Sequence, residues 1–256
     1  MSCQKSLRGE CIAEFIGTFT FLFFGMGCVA GLLLAGASYG QWEISIIWGM
    51  AVALGVYLTA GVSGGHLNPA VTVALWRFAC FDGRKVIPFI IAQTLGAFCA
   101  ACLVYLLYYN LFATVDAGKT LQTARVFCTF PNATINLTQA FATEFVITAL
   151  LMALIMALTD DGNGVPRGPL APLLIGILVA VIGASFGPLT GFAMNPARDF
   201  GPRLFAFLAG WDLPVMTGGR AIPYFAIPLI APMLGACFGA FIYKHCIGEN
   251  LPACRM

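Results

Sequence analysis

Six long apolar segments, separated by short polar stretches, account for most of the chain. Their approximate ranges are 11–36, 41–61, 85–108, 138–159, 169–187 and 223–245. A helix needs about 20 mostly apolar residues to cross the hydrocarbon core of a bilayer. Each segment is therefore predicted to be a transmembrane helix, and the predicted fold class is an all-α membrane protein.

Two shorter apolar stretches, 68–78 and 195–208, open with the same tripeptide, Asn-Pro-Ala. An 11-residue helix is only about 16 Å long, near half the hydrocarbon thickness of roughly 30 Å. Asparagine suits the N-cap of a helix and proline its first turn, so each motif predicts a helix start. The motif residues are Asn68, Pro69, Ala70, Asn195, Pro196 and Ala197.

The stretches that lead into these motifs, 63–67 and 190–194, contain glycine and are predicted to be extended backbone. Non-helical backbone at membrane depth must be buried in protein or line a wet cavity. Two copies, each opening a half-length apolar helix, favour two re-entrant half-helices over two ordinary Asn-Pro turns in surface loops.

The chain contains an internal repeat. Asn68 and Asn195 are 127 residues apart, and Glu14 and Glu144, each followed by Phe, are 130 residues apart. We predict one channel-like domain over 1–256, with a first repeat at about 6–110 and a second at about 138–246. An odd number of spans per repeat inverts the second copy, so the half-helix N-termini are expected to meet near the midplane.

Basic residues predict the orientation in the membrane. With the N-terminus inside, eight Lys and Arg residues fall on the inner side and five on the outer side, which favours cytoplasmic N- and C-termini in a plasma-membrane protein. The inner set is Lys5, Arg8, Arg77, Arg84, Lys85, Arg167, Lys244 and Arg255, and the outer set is Lys119, Arg125, Arg198, Arg203 and Arg220.

Composition excludes several other classes of protein. The chain is 60% hydrophobic and 9% charged, whereas soluble domains carry about 25% charged residues. Its net charge of +2, without a Lys/Arg block, does not suggest a nucleic-acid partner. Only two histidines, His66 and His245, are present, so no Cys/His metal site can be assembled. No catalytic constellation is visible, and we predict neither an enzyme nor a cofactor.

The candidate functional residues lie in and beside the two motifs. Facing helix N-termini place about half a positive charge each at mid-membrane, which repels cations and protons, while Asn68 and Asn195 offer hydrogen bonds to polar solutes. Arg198 follows the second motif, and its cost in hydrocarbon predicts that it faces a polar cavity. The alternative is a snorkelling arginine, or one that is paired with Asp199.

Glu14 and Glu144 occupy equivalent positions in the two repeats. We expect each carboxylate to accept hydrogen bonds from backbone N–H groups of a re-entrant loop, which would turn the carbonyls of that loop toward a pore. The alternative is an interfacial glutamate that faces lipid headgroups.

With two Asn-Pro-Ala boxes, Arg198 directly after the second, and the paired glutamates, the chain resembles the aquaporin (major intrinsic protein) family. Asp199, Arg203 and Pro228-Leu229 are similar to positions of its glycerol-conducting branch, the aquaglyceroporins. The similarity covers nearly the whole chain. The segment 113–130 looks shortened and altered, a departure that we expect to affect the outer vestibule and not the selectivity filter.

The resemblance implies a selectivity filter outward of the two motifs, formed by Trp48, Gly191, Phe192 and Arg198. Trp48 and Phe192 would form an apolar corner for a carbon backbone, and Gly191 would leave space that a side chain would fill. Arg198 would lie on the other side with a row of carbonyl groups from Gly64, Gly65, His66, Gly191, Phe192 and Ala193. The alternatives are an interfacial Trp48 and a Phe192 that only packs in the core.

The family also implies a passive channel for glycerol and related small neutral solutes, with some water flow and exclusion of ions and protons. Urea and other polyols are further candidate solutes, and the implied assembly is a homotetramer in a bacterial inner membrane. A water-selective channel is the alternative, but the histidine expected in such a filter is missing and Asp199 argues against it. A membrane scaffold without transport is the third possibility.

Overall fold

The computed structural model describes residues 6–163 and 168–251, which fold as a set of packed helices. Within these described ranges, six helices are long and apolar enough to cross a membrane, which confirms the six predicted spans. In chain order the α-helices are α1 (Leu7–Leu34), α2 (Gln41–Ser63), α3 (Pro69–Phe78), α4 (Val86–Leu107), α5 (Tyr109–Val115), α6 (Leu121–Ala124), α7 (Leu137–Thr159), α8 (Ala171–Thr190), α9 (Pro196–Ala206), α10 (Asp212–Thr217) and α11 (Ala226–Ile242).

Helices α3 and α9 are the two half-helices predicted from the repeated motif. The side chains of Asn68 and Asn195 cap them, because Asn68 Oδ1 accepts from the backbone N–H of Ala70 at 2.8 Å and Asn195 Oδ1 accepts from that of Ala197 at 3.0 Å. A proline follows each cap in the first turn. The re-entrant pair and the all-α membrane fold are therefore confirmed.

The first span begins at Leu7, four residues earlier than its apolar run suggested. Ser6 caps it by accepting a hydrogen bond from Gly9 N at 3.1 Å, and Glu10 in the first turn pairs with Lys85 at 2.8 Å. Hydropathy alone misses this turn because its polar groups find partners within the protein.

The two halves of the fold show the same pattern of helix contacts. Helix α1 packs against α2 and α4, as α7 packs against α8 and α11, while α2 and α8 join the halves. Each half-helix also packs against the last long helix of the other half, α3 on α11 and α9 on α4. These pairings support the repeat, whose limits near 6–110 and 138–246 stay a prediction.

Glycine permits close helix contacts at equivalent places in the two halves. A Cβ atom at Gly96 would meet the backbone carbonyl of Phe15, and one at Gly235 would meet that of Phe145. Phe15 and Phe145 follow Glu14 and Glu144 directly, so the tight packing lies beside the two buried carboxylates.

The segment between α4 and α7, which includes residues 113–130, is partly helical and contributes side chains to the protein interior. It forms α5 and α6, and its aromatic side chains pack inward: the rings of Phe112 and Phe127 stack at 5.4 Å, and both lie against Trp211. Apolar residues scattered among polar ones thus build a small core that contacts the second half-helix through Phe205.

The structure changes the count of basic residues assigned to the outer side of the membrane. Arg198 and Arg203 are buried inside the protein, so neither acts as a charge of an outer loop. The outer set is thereby reduced to Lys119, Arg125 and Arg220. Three members of the inner set lie outside the described residues: Lys5, Arg167 and Arg255.

Candidate functional site

The two half-helices meet at their N-terminal asparagines. Asn68 Nδ2 donates to the carbonyl of Met194 at 2.9 Å, and Asn195 Nδ2 donates to the carbonyl of Leu67 at 2.8 Å. Each asparagine therefore binds the loop of the opposite half. An amide nitrogen carries two N–H donors, so one can hold the other half while the second points to a solute.

Both loops that lead into the half-helices contain left-handed backbone. In the first loop φ is +94° at Gly64, +65° at Gly65 and +52° at Leu67, and in the second it is +83° at Gly191, +41° at Phe192 and +51° at Met194. For residues with a side chain this conformation costs about 1–3 kcal/mol and persists only where the surroundings hold it.

Glu14 holds the first loop. Its carboxylate accepts hydrogen bonds from the backbone N–H groups of His66 at 2.9 Å and Leu67 at 2.7 Å, from Ser63 Oγ at 2.6 Å, and from Gln93 Nε2 at 2.7 Å. The side chain is 0% exposed, so it does not face headgroups.

Glu144 holds the second loop in the same way. It accepts hydrogen bonds from the backbone N–H groups of Ala193 and Met194, both at 2.9 Å, and from Thr190 Oγ1 at 2.6 Å. The side chain is also 0% exposed. Equivalent carboxylates thus engage equivalent amides in the two halves.

A cavity of about 430 Å³ runs beside these loops. Its polar lining includes Asn68, Asn195 and Arg198 together with the loop residues Gly64, Gly65, His66, Phe192 and Ala193. Much of its apolar lining comes from the long helices and includes Phe21, Trp48, Val52, Val56, Leu151, Ile155, Ile175 and Val179. The cavity therefore combines hydrogen-bonding groups with an extensive apolar surface.

Trp48, Phe192 and Arg198 come together at this cavity. The rings of Trp48 and Phe192 meet edge to face with centroids 6.3 Å apart, and Trp48 is buried, so it is not an interfacial aromatic. Arg198 was expected across from this corner, but its Cζ lies 4.2 Å from the Trp48 ring centroid. A desolvated guanidinium gains a favourable cation–π contact with an indole face.

Gly191 does not leave the open space that we expected. A Cβ atom at Gly191 would meet Thr129 Cβ at 3.0 Å, so the side chain of Thr129 occupies that space. The glycine beside the aromatic corner is instead Gly183 of α8, where a Cβ would lie 2.9 Å from Cε2 of Phe192. Gly183 lets the Phe192 ring lie against α8, and in sequence its only signal is a glycine inside an apolar helix.

Two further residues of this region, Phe127 and Thr129, were missed because they belong to the segment 113–130. Arg198 Nη1 donates to the carbonyl of Phe127 at 3.4 Å, and Thr129 donates to Asp199 through its backbone N–H at 2.8 Å and its Oγ1 at 2.7 Å. The segment thus contacts the arginine, contrary to our expectation. The run 126–130, which is apolar except for Thr129, was the available signal.

Asp199 forms its ion pair with Arg203 and not with Arg198. Arg203 Nε lies 2.7 Å from Asp199 Oδ2, and both side chains are buried. With that carboxylate engaged by Arg203 and Thr129, an Arg198–Asp199 ion pair does not explain why an arginine lies at this depth.

Six spans, two half-helices that meet at buried asparagines, and a cavity beside them define a multi-pass membrane protein of channel architecture. Residues 1–243 match the family model described as Major intrinsic protein, and the chain belongs to this family. The resemblance predicted from the motifs is thus confirmed.

Similar proteins include the glycerol uptake facilitator protein of Escherichia coli (strain K12), 65% identical over 98% of this chain and 92% of that protein. The propanediol uptake facilitator PduF of Salmonella typhimurium is 62% identical over 98% of each. The X-ray structure of the aquaglyceroporin from Plasmodium falciparum superposes with a TM-score of 0.85 at 32% identity, covering 95% of this chain and 98% of that one. These relatives are transport proteins, so the prediction that the chain is not an enzyme is confirmed.

Proposed function

We propose that this chain is a passive channel for glycerol and related small neutral polyols, with some water flow. The observation that carries the proposal is the lining of the cavity, where the donors of Asn68, Asn195 and Arg198 accompany a long apolar surface. A linear polyol has carbon atoms along one side and hydroxyl groups along the other, so both kinds of lining are used. The similarity to glycerol uptake facilitators supports this substrate class.

Selectivity is assigned to Trp48, Phe192 and Arg198, with Gly183 behind the Phe192 ring and Gly191 contributing only backbone beside Thr129. The aromatic corner receives the carbon backbone, and the guanidinium donates hydrogen bonds to hydroxyl oxygens. A solute reaches the Trp48 face only when the guanidinium moves off it, because a contact of 4.2 Å leaves no space between them. Further hydroxyl contacts are assigned to the carbonyl groups of Gly64, Gly65, His66, Gly191, Phe192 and Ala193.

Ion and proton exclusion is assigned to the meeting point of the half-helices. Their N-termini each carry a partial positive charge, which opposes cation entry. Asn68 and Asn195 donate to the oxygen of a passing hydroxyl or water and thereby interrupt a proton-conducting chain. Glu14 and Glu144 support this arrangement by binding loop N–H groups, which leaves the loop carbonyls for the solute.

The proposed assembly is a homotetramer with one pore per protomer, located in a bacterial inner membrane with both termini cytoplasmic. The orientation is supported by the excess of Lys and Arg on the inner side, which grows once the buried Arg198 and Arg203 are removed from the outer count. Urea and other polyols are proposed as additional solutes.

The function is tested by stopped-flow light scattering on proteoliposomes that contain the purified chain. Glycerol and sucrose gradients are compared, with protein-free vesicles as the control. Fast glycerol re-equilibration is the expected result. Fast water flow without glycerol flow would favour a water-selective channel, and no change over empty vesicles would favour a scaffold.

A further inference from the structure

We propose that Thr129, Asp199 and Arg203 form a buried clamp that positions Arg198 and thereby sets the solute ranking of the channel. The three residues are called the clamp below. This inference rests on the proposed function and deepens it, because it assigns specificity to residues that do not line the cavity.

The clamp binds Thr129 through both its backbone and its side chain. The backbone N–H and Oγ1 of Thr129 donate to Asp199 Oδ1 at 2.8 and 2.7 Å. Arg203 Nη2 donates to the carbonyl of Thr129 at 2.6 Å and to Asp199 Oδ1 at 3.1 Å, while Arg203 Nε donates to Asp199 Oδ2 at 2.7 Å. Thr129 is thus tied to one turn of α9 by three hydrogen bonds.

The clamp is almost completely buried. Arg203 is 0% exposed, Asp199 1% and Thr129 4%. Charges in such surroundings are stabilised only where geometry and hydrogen bonding are nearly complete, and removing one partner is strongly unfavourable. Arg203 meets this requirement, since it also donates to the carbonyl of Val215 and lies 4.9 Å from the Phe130 ring centroid. The hydrogen bonds of Asp199 and Arg203 to Thr129 therefore oppose its displacement.

The clamp adjoins the proposed filter at two points. Phe127, two residues before Thr129, supplies the carbonyl to which Arg198 Nη1 donates at 3.4 Å. The Thr129 side chain also fills the space beside Gly191, where φ is +83°. Fixing Thr129 therefore fixes both the polar partner of Arg198 and the backbone next to Phe192.

Arg198 has two partners in this arrangement, the face of Trp48 at 4.2 Å and the Phe127 carbonyl at 3.4 Å. The position of that carbonyl decides how far the guanidinium extends over the indole, and hence how much of the aromatic corner a solute can enter. A displaced carbonyl would leave the guanidinium without a fixed position and the filter less able to rank solutes by size.

The clamp is tested with Thr129→Val, which keeps the shape of the side chain and removes the side-chain donor to Asp199, while the backbone donor remains. Thr129→Ser is the matched control, because it keeps the hydroxyl. In proteoliposomes we expect Thr129→Val to lower the ratio of glycerol permeability to that of a five-carbon polyol by about threefold, which corresponds to about 0.6 kcal/mol and is a fraction of what one hydrogen bond to a charged group contributes. Thr129→Ser should stay close to the parent chain.

A double-mutant comparison separates positioning from a purely structural role. If the clamp acts through Arg198, Thr129→Val should change the solute ratio little further once Arg198→Ala is present, because the two substitutions remove the same contribution. An unchanged ratio in Thr129→Val, or an equal additional change in the Arg198→Ala background, would overturn the proposal.

The parent chain is measured in the same vesicles, so that the two proposals fail separately. Absence of glycerol flux in the parent chain would overturn the proposed function and the clamp with it, whereas normal parent flux with unaltered ranking in the variant overturns the clamp alone. If Thr129→Val does not assemble, Arg203→Lys replaces it. This variant keeps the charge but loses the planar fork that binds Thr129, and the same fall in the ratio is expected.

Discussion

The guanidinium carbon of Arg198 lies 4.2 Å from the ring centroid of Trp48, so charge and aromatic face are in direct contact. The remaining polar contact of that side chain in the described structure is the bond from Nη1 to the Phe127 carbonyl. A solute that enters the aromatic corner must replace the cation–π contact with its own carbon atoms and hydroxyl groups. The contact therefore makes entry depend on the chemistry of the solute.

Replacing Arg198 with alanine is expected to reduce solute discrimination. Arg198→Ala removes the group that covers Trp48, so the permeability of a five-carbon polyol relative to glycerol should rise about tenfold, which corresponds to about 1.4 kcal/mol. Stopped-flow measurements on proteoliposomes give the ratio, and Arg198→Lys, which keeps the charge but not the planar fork, should fall between the two. Unchanged ranking in a folded, inserted Arg198→Ala protein would remove Arg198 from the filter.

Gly183→Ala is expected to narrow the passage. The new Cβ would lie 2.9 Å from Cε2 of Phe192 and 3.0 Å from Ser45 Oγ, so the ring must shift from α8. Glycerol permeability should fall severalfold, while water flow should change less because water is the smaller solute. Gly27→Ala is the matched control, since a Cβ at Gly27 meets nothing within 4 Å and should leave both rates unaltered.

Glu144→Gln is expected to destabilise the second re-entrant loop. The substitution replaces a carboxylate that accepts hydrogen bonds from Ala193, Met194 and Thr190 with a neutral amide, one end of which cannot accept. The loss should be about 1–3 kcal/mol for each buried group left unpaired, seen as a lower unfolding temperature in detergent and lower glycerol flux. Glu249→Gln, at an exposed carboxylate, should change neither, and equal stability of the two variants would contradict the assigned role.

Asp116, in the segment between α4 and α7, provides a pH-dependent test of stability. Partial burial raises the pKa of this carboxyl, but hydrogen bonds from Thr123 and Thr120 outweigh it, so the pKa is lowered overall. A lowered pKa contributes stability that is present above the unfolded value of about 3.9 and is lost as pH falls through the folded value. Asp116→Asn should therefore be less stable than the parent chain at neutral pH, with the difference shrinking near pH 3. A difference in unfolding temperature that is independent of pH would count against this contribution.

Local sequence patterns determined most of the fold. Apolar runs of about 20 residues must form helices in a bilayer, because backbone groups cannot remain unpaired in hydrocarbon. The repeated Asn-Pro-Ala motif placed both half-helix starts, since capping and the missing proline N–H act within one turn. Helix ends such as Leu7 were less predictable, because a polar first turn is stabilised by a distant partner, here Lys85.

The tertiary structure decided the arrangement of the candidate site. The contact of Arg198 with Trp48, the packing of Gly183 against Phe192, and the filling of the space at Gly191 by Thr129 all join residues that are distant in sequence. No local periodicity encodes such contacts, because they depend on how the helices cross and on where the segment between α4 and α7 packs. The sequence alone thus identified the residue types and the helix starts, while packing determined which side chains meet at the cavity and which of them fill the space beside it.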